Sequence, residues 1–309
     1  MTFNSIIDFL YRKPKSDYKK IKRFGGLIKY RQMLASQSQM KKAAYKLSPM
    51  PCFDDGLKIY FLTGKNFLYQ TLFCIYSIAK FSEEKFQFVL VDDGSFDETD
   101  LHFINSKLPG CLIITKETIN DNLAQLLPIE QFPYLHHKRK VYPHIKKLTD
   151  VHSLRNLGEW KLVIDSDMLF WAEPAEIISW LKNPTSVIYM KDCEESYGFN
   201  TKDMETLCGN PIPDKLNVGV IGINSTTINW EEVEGWAKKL EVAYASYYLE
   251  QALSAMIVAG ENKTMLPAAK YIVNPNLAEI KNPIGFLHHY VDLSKAGYFN
   301  IAWKNLLKF

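Results

Sequence analysis

Two aspartates one residue apart follow an apolar run in the segment KLVIDSDMLFWAEP, residues 161–174. The predicted strand KLVI ends just before Asp165, and the alternation of an extended chain turns Asp165 and Asp167 to one side, with Ser166 opposite. Two carboxylates this close repel each other unless a positive group neutralises them, and a divalent cation with oxygen ligands commonly does so. The pair therefore predicts a metal site. A solvated acidic loop is the alternative, which the flanking apolar residues disfavour.

A second candidate for metal binding lies near the end of the chain, where an apolar run in IGFLHHYVDLSK ends in His288 and His289. Imidazole is a common ligand of Mn²⁺-type ions, which accept mixed oxygen and nitrogen donors. A histidine beside an aromatic residue is more often packed and hydrogen-bonded. We expect one of the two to be structural and the other to be a ligand candidate, and spacing alone does not join either to Asp165.

Residues 136–152 are rich in histidine and in cationic side chains. These are His136, His137, His144 and His152, together with Lys138, Arg139, Lys140, Lys146 and Lys147. Such a density of positive charge suits an anionic ligand such as diphosphate better than a metal. A solvated basic helix explains the same pattern.

From residue 57 onward, short apolar runs alternate with amphipathic stretches. LKIYFLTG, FQFVLVDDGS, CLIITK and WKLVID are predicted strands, and the stretches between them have helical spacing. This alternation predicts an α/β fold, with a mostly parallel sheet covered by helices on both faces. Ligands of such sheets bind at the carboxyl ends of the strands, which is where the aspartate pair lies.

Length and composition restrict the class of protein. With 309 residues and 47% hydrophobic residues, the chain can form one α/β domain with an extension. Its five cysteines form no CxxC pair, which predicts a reducing compartment. No stretch reaches the roughly 18–20 apolar residues that span a bilayer, and the first residues lack the pattern of a signal peptide. We therefore expect a cytoplasmic protein.

The charge is distributed unevenly. Residues 1–50 contain 12 Lys or Arg against two Asp, a net charge of +10, so the rest carries −7 of the overall +3. One interpretation is a solvated, partly helical N-terminal extension. The other is peripheral contact with anionic lipid at the inner face of a membrane, where each basic residue contributes roughly 1 kcal/mol. Nucleic acid is not an expected partner, because nothing beyond residue 50 continues the basic field.

Three further expectations concern the second half of the chain. Trp230 and Trp236 of the helical pattern WEEVEGWAKKL are predicted to pack inward. Tyr244, Tyr247 and Tyr248 are predicted to be core residues, the alternative being stacking on an acceptor sugar. Residues 190–215 are predicted to be an irregular loop that faces an acceptor or acts as a lid.

Four stretches together resemble the GT-A glycosyltransferases, and their motifs are most similar to the retaining, glycogenin-like family 8. They are YFLTGKNFLYQTLFCIYSI with VLVDDGS, then LVIDSDMLF, LNVGVIGIN and LHHYVDLSK, in the family's order over roughly residues 57–296. The resemblance implies a GT-A type, Rossmann-like catalytic domain over residues 51–309, after the basic extension of residues 1–50.

The resemblance also implies roles for particular residues. Asp165, Asp167 and His289 would hold Mn²⁺ or Mg²⁺ against the diphosphate of a nucleotide-sugar, and Lys295 would contact phosphate. Asn217 and Gly219 would line the donor sugar, with Glu250 and Gln251 close to its anomeric carbon. The remaining positions, which would surround the base and ribose, are Thr63, Gly64, Asp92 and Asp93.

The chain departs from the family pattern at several positions. Asp292 stands where the family has a glycine, and Ala296 and Gly297 follow Lys295 where Pro-Trp is typical. The family's arginine before the metal strand is replaced in charge by Lys146 or Lys147. The run VDDGSFDET is closer to the inverting family 2 enzymes.

The implied function is metal-dependent transfer of a sugar from a nucleotide-diphosphate sugar, here a UDP-sugar, to a hydroxyl of a glycan, lipid-linked or protein acceptor with retention. Inversion would require a carboxylate base, for which Glu194, Glu195 and Glu250 are the candidates. Other interpretations are an inverting family 2-like enzyme, a sugar-nucleotide nucleotidyltransferase of related fold, a haloacid-dehalogenase-type phosphatase and a non-catalytic sugar-binding module. The phosphatase is disfavoured because enzymes of that type carry the D-x-D motif after the first strand, whereas here the motif lies near the middle of the chain.

Overall fold

The computed structural model describes residues 13–308, with side chains from residue 18 onward. The expectations for the first twelve residues lie outside this range. The helices are α1 Lys13–Arg23, α2 Leu27–Ala44, α3 Leu68–Phe81, α4 Glu98–Lys107, α5 Lys116–Leu126, α6 Pro133–Val141, α7 Lys146–His152, α8 Ala175–Lys182, α9 Thr201–Cys208, α10 Trp230–Leu240, α11 Leu249–Ile257, α12 Leu277–Lys281, α13 Ser294–Gly297 and α14 Trp303–Leu306. The strands are β1 Leu57–Thr63, β2 Phe86–Asp92, β3 Leu112–Ile114, β4 Trp160–Ile164, β5 Met168–Phe170, β6 Val187–Lys191, β7 Leu216–Asn224, β8 Lys263–Met265, β9 Tyr271–Val273 and β10 Leu287–His289.

Seven strands form the central sheet in the order β3-β2-β1-β4-β7-β6-β8. Strands β1 to β4 pair in parallel, and so do β6 and β8, whereas β7 runs antiparallel to both β4 and β6. The predicted α/β class with a mostly parallel sheet is confirmed. The carboxyl ends of β1, β2 and β4 therefore lie along one edge of the sheet.

Alternating side chains of the central strands bury both faces of the sheet. In β4, Leu162 and Ile164 belong to one apolar core and Val163 to the other. In β1, Tyr60 faces the second core, between two residues that face the first. Both faces are covered, which explains why the strands read as continuous apolar runs rather than as alternating ones.

A small second sheet, in the order β5-β10-β9, joins the two distant candidate metal motifs. Strand β5 begins one residue after Asp167 and pairs antiparallel with β10, so that Met168 lies opposite His289. The backbone N–H of Tyr290 donates to the carbonyl of Asp167 at 3.0 Å. This pairing supplies the link between the aspartates and the late histidine that spacing could not provide.

Helices α1 and α2 pack beside this region. Met33 and Met40 of α2 are buried in the first core, while Gly25 and Gly26 at the α1–α2 junction have φ of 82° and 101°. Arg23, at the end of α1, forms an ion pair with Asp292. Asp292 itself has a φ of 48°, in the left-handed region that glycine adopts most readily. This backbone conformation agrees with the glycine that the glycogenin-like pattern has at this position. The domain boundary at residue 50 stays a prediction.

Two expectations for the second half are wrong, and one is correct. Tyr244, Tyr247 and Tyr248 are 55%, 67% and 41% exposed, so they are not core residues. Helix α9 lies within the segment predicted to be irregular, where the Asn200 side chain caps its first turn and Gly209 ends it in the left-handed conformation. Trp230 and Trp236 are buried, as expected from the amphipathic pattern.

Within residues 13–308, no helix combines the length and the apolar character that crossing a bilayer requires.

A buried polar cluster lies at the opposite end of β4 from the aspartate pair. Lys161, which is 1% exposed, donates to Ser225 Oγ at 2.8 Å, and His152 Nδ1 lies 2.8 Å from the same oxygen. Burial lowers the pKa of Lys161 to about 8 and, together with the charge of Lys161, lowers the pKa of His152 to about 3. His152 is therefore neutral at pH 7 and belongs to this cluster, not to the predicted cationic segment.

We predict that Lys161→Met stabilises the protein at pH 7 by about 1–4 kcal/mol, because the isosteric side chain removes a buried charge. The pKa of Lys161 is lower in the folded state than its ordinary 10.5. Its unfavourable contribution is therefore absent above pH 10.5 and grows as the pH falls to about 8. Urea unfolding at pH 7 and pH 10 measures the difference, with exposed Lys202→Met as the control. The prediction would be contradicted if Lys161→Met changed the free energy of unfolding by the same amount at pH 7 and at pH 10.

Candidate metal and nucleotide site

Three side chains converge where β4 ends and β5 begins. Asp165, Asp167 and His289 each offer one ligand atom, and these atoms all lie within 4.8 Å of one another. His289 Nε2 is 3.3 Å from Asp167 Oδ1 and 3.8 Å from Asp165 Oδ2. The structure thus brings together the three residues predicted to be metal ligands, on the loop after β4 and on the end of β10.

His289 is oriented by Asn217 of β7. The amide oxygen of Asn217 lies 3.1 Å from His289 Nδ1 and also accepts from the Gly219 N–H at 2.9 Å. Because an amide oxygen only accepts, His289 Nδ1 carries a proton, and Nε2 is the ring nitrogen that faces the aspartates. Metal-binding histidines are typically held in this way by a second hydrogen bond.

Gly219 provides the space that the imidazole needs. A Cβ at this position would lie 2.4 Å from His289 Cε1 and 2.4 Å from Met168 Cε, closer than van der Waals contact allows. The backbone carbonyl of Gly219 also accepts from the Asp165 N–H at 2.8 Å. Gly219 therefore contacts both sides of the candidate metal site, whereas its predicted contact with the donor sugar stays a prediction.

His288 is the structural member of the histidine pair. It is fully buried, its Nε2 lies 2.7 Å from the Ile284 carbonyl, and its Nδ1 lies 3.3 Å from the Tyr290 hydroxyl. Both ring nitrogens of His288 already have hydrogen-bond partners, so His289 is the better ligand candidate.

Two lysines balance the charge of the aspartates. Lys147 Nζ donates to Asp165 Oδ1 at 2.8 Å, and Lys295 Nζ lies 3.3 Å from Asp167 Oδ2. Burial alone would lower the pKa of Lys147, but the charges of Asp165 and Glu250 outweigh it and raise that pKa. Burial would likewise raise the pKa of Asp167, but Lys295 and His289 together hold it well below its ordinary value. Lys147 thus lies beside the aspartates, and its role as a replacement for the family's arginine stays a prediction.

Glu250 and Gln251 begin helix α11 beside Lys147. Glu250 Oε1 is 3.8 Å from Lys147 Nζ, and burial raises the pKa of this carboxyl to about 7. Gln251 Nε2 donates to Asp192 Oδ2 at 3.3 Å, and the Asn217 amide donates to the same oxygen at 3.0 Å. Asp192 was not predicted, although it follows the apolar strand β6 just as Asp165 follows β4.

The predicted nucleotide residues line the ends of β1 and β2. Thr63 Oγ1 is buried 2.7 Å from Thr71 Oγ1, and a Cβ on Gly64 would lie 2.1 Å from the Asp93 carboxylate. Asp92 Oδ1 accepts from three successive backbone N–H groups, those of residues 94–96, and so fixes the loop after β2. Thr63 and Asp92 thus shape this end of the sheet, and their contacts with a base or ribose stay predictions.

A cavity of about 400 Å³ opens beside this loop. It is lined by Asp92, Asp93, Gly94, Lys116, Ile119, Asn120, Arg139, Lys140, Pro143, Lys146 and Asp150. Arg139 forms a bidentate pair with Asp150, at 2.6 and 2.8 Å. Buried Lys138 instead pairs with Glu241 at 2.7 Å, away from the cavity. The cationic segment is therefore divided between the cavity and the interior, rather than forming one surface.

The donor set fits a divalent cation of the Mn²⁺ or Mg²⁺ type. Two carboxylates and one imidazole are suitable ligands for Mn²⁺, and the carboxylates suit Mg²⁺. The adjoining lysines and the cavity offer positive charge to an anion at the same edge of the sheet.

Comparison with known proteins shows the fold. No protein-family model and no curated protein sequence matches the chain. Mouse xyloside xylosyltransferase 1 superposes with a TM-score of 0.52 at 11% identity, over 78% of this chain and 97% of that one. The galactosyltransferase LgtC has a TM-score of 0.46 at 14% identity, over 79% of this chain and 83% of that one.

The bifunctional glycosyltransferase WbbM has a TM-score of 0.48 at 13% identity, and the match covers 84% of this chain. The chain spans about half, 53%, of the length of WbbM. The xylosyltransferase superposition confirms the predicted GT-A type fold class.

We predict that Gly219→Ala displaces the His289 ring, lowers the free energy of unfolding by about 1–3 kcal/mol through overpacking, and weakens Mn²⁺ binding. Gly235, within α10, is the matched control because a Cβ there meets nothing within 4 Å. Gly235→Ala should stabilise the helix by about 0.5–1 kcal/mol and leave Mn²⁺ affinity unchanged. Urea unfolding and Mn²⁺ titration measure both effects. Wild-type Mn²⁺ affinity in Gly219→Ala would contradict the proposed position of His289.

Proposed function

We propose that the protein is a metal-dependent glycosyltransferase that moves a sugar from a nucleotide-diphosphate sugar, here a UDP-sugar, to an acceptor hydroxyl. The observation that supports this most is the convergence of Asp165, Asp167 and His289 at the carboxyl end of β4, beside two lysines. The GT-A type fold is consistent with the same function. Retention follows from the sequence resemblance to the glycogenin-like enzymes.

The reaction breaks the bond between the anomeric carbon and the diphosphate, so negative charge develops on the leaving oxygens. A divalent cation held by Asp165, Asp167 and His289 would supply Lewis-acid stabilisation of that charge. Lys295 and Lys147 add fixed positive charge at the same place, without reorganisation during the reaction. These lysines are already paired with the aspartates, which positions their ammonium groups before the donor binds.

Helix α11 contributes Glu250, which lies beside Lys147, and Gln251, which donates to Asp192. Glu250 titrates near pH 7, because burial raises its pKa, so its carboxyl can hold or release a proton at physiological pH. Asp192 fixes the amide of Gln251, which leaves the amide oxygen of Gln251 available to the sugar. With retention, the leaving phosphate takes the proton of the acceptor hydroxyl, whereas inversion would assign that role to a carboxylate.

We expect Asp167→Asn to lower donor turnover by about 10²–10³-fold, because it removes one oriented charge from the candidate metal site. The measurement is hydrolysis across a panel of nucleotide sugars with Mn²⁺, with and without EDTA. Asp54→Asn is the matched control, since Asp54 is exposed and precedes β1 at the opposite edge of the sheet. Turnover that persists at the wild-type rate in Asp167→Asn or in EDTA would contradict the proposed mechanism.

We also infer that the α1–α2 junction is a contact surface for anionic membranes. Leu27 and Ile28 are 47% and 74% exposed at the start of α2. Nine Lys or Arg and no acidic residue occur between residues 18 and 53. Exposed apolar side chains within a basic field favour an interfacial site on anionic lipid.

Replacement of Ile28 by Asp should weaken binding to phosphatidylserine-containing vesicles, because it removes the exposed apolar tip and adds a repulsive charge. Wild-type binding should fall as salt screens the basic residues. Vesicle flotation at low and high salt measures both effects. Ile129→Asp is the control, since Ile129 is 49% exposed outside this helix pair. Vesicle binding that does not change with salt, or that is equal in Ile28→Asp and Ile129→Asp, would contradict the proposed membrane contact.

A further inference from the structure

An exposed aromatic surface stands beside the candidate metal site. We use the name tyrosine rim for Tyr142, His144, Tyr247 and Tyr248. Tyr247 and Tyr248 are 67% and 41% exposed, and their rings lie 5.5 Å apart and nearly perpendicular. The His144 ring lies 4.9 Å from Tyr247 and 5.3 Å from Tyr142. These contacts make one continuous aromatic surface from two separate segments of the chain.

The rim is held by polar contacts rather than by apolar burial. The Tyr142 hydroxyl donates to the Tyr247 carbonyl at 2.5 Å, and the Glu250 N–H donates to that hydroxyl at 3.4 Å. The Tyr248 N–H donates to Ser246 Oγ at 3.1 Å, and the Ser246 N–H donates to Glu241 at 3.3 Å. The backbone that carries the two exposed tyrosines is thus held in place.

The rim adjoins the proposed reaction centre on two sides. Tyr247 and Tyr248 immediately precede helix α11, whose Glu250 lies 3.8 Å from Lys147. Lys147 in turn donates to Asp165 Oδ1 at 2.8 Å, so a chain of contacts joins the rim to the aspartates. On the other side, the segment that carries His144 borders the basic cavity, which Pro143 and Lys146 line.

The chemistry of the rim differs from that of the cavity. The cavity presents lysine and arginine side chains, which suit phosphate, whereas the rim presents tyrosine rings, which carry no cationic group. Tyrosine combines an apolar face with a hydroxyl that can form hydrogen bonds. A sugar ring has the matching surface, since it carries C–H groups on its faces and hydroxyls at its edge.

We propose that the tyrosine rim binds a sugar ring of the acceptor, with Tyr247 as the stacking platform. The proposal rests on the proposed transferase function, and it specifies the acceptor as a glycan or glycoside. The hydrogen bond between Tyr142 and Glu250 would place such a ring beside the atoms of the donor that react. Tyr247 is a substrate-binding residue in this account, and it takes no part in bond breaking.

The test is saturation-transfer NMR on the full chain with Mn²⁺ and UDP, using methyl glycosides of glucose, galactose, N-acetylglucosamine and xylose as probes. At least one glycoside should bind saturably. Tyr247→Ala should weaken that binding about tenfold, as expected for loss of one aromatic contact, and Tyr247→Phe should retain it because the ring remains. Tyr18→Ala is the control, since Tyr18 is 66% exposed on α1.

The backbone carbonyl that accepts from Tyr142 survives in Tyr247→Ala, so the fold should persist, as urea unfolding will verify. If Tyr247→Ala is unstable, Tyr248→Ala provides the same test on the adjacent ring. The proposal is overturned if none of the four glycosides binds saturably or if affinity is the same in the alanine variants. A separate calorimetric titration of wild-type protein with UDP and Mn²⁺ tests the transferase proposal, so that failure of the donor site is distinguishable from failure of the rim.

Discussion

The repulsion between two carboxylates held one residue apart is the constraint on which the site depends. Asp165 and Asp167 lie on a loop fixed by two backbone hydrogen bonds, one to Gly219 and one from Tyr290, so they cannot separate freely. Lys147 and Lys295 neutralise one aspartate each, and the imidazole of His289 faces both. The concentration of charge is tolerated because α7 and α13 contribute ammonium groups and β10 contributes an imidazole.

The same elements explain why the site lies where it does. Parallel strands bring the ends of β1, β2 and β4 to one edge, while the small second sheet carries His289 to Asp167. Asn217 joins the two parts, because its side chain touches His289 and also Asp192, which holds Gln251. One network of hydrogen bonds thus extends from the candidate ligands to the start of α11, where the proposed donor sugar would lie.

Local patterns of the sequence predict the fold class and the aspartate pair, whereas only the family resemblance joins His289 to that pair. Apolar runs that end in an acid mark buried strands and their carboxyl ends, as at Asp165. Local patterns do not predict what depends on tertiary packing. Tyr247 lies in an aromatic segment that was predicted to be core, but hydrogen bonds to Tyr142 and Glu241 hold the backbone of this segment at the surface. Likewise, nothing in the spacing shows that His152 pairs with Ser225 beneath the sheet.

The most direct test of the metal site is pulsed EPR on the full chain loaded with Mn²⁺. We expect one bound ion per chain with coupling to a single imidazole nitrogen, and loss of that coupling in His289→Gln. The exposed His102→Gln variant should keep it. Absence of a bound ion in the wild type, or an imidazole coupling that survives in His289→Gln, would contradict the assignment of Asp165, Asp167 and His289 to one metal site.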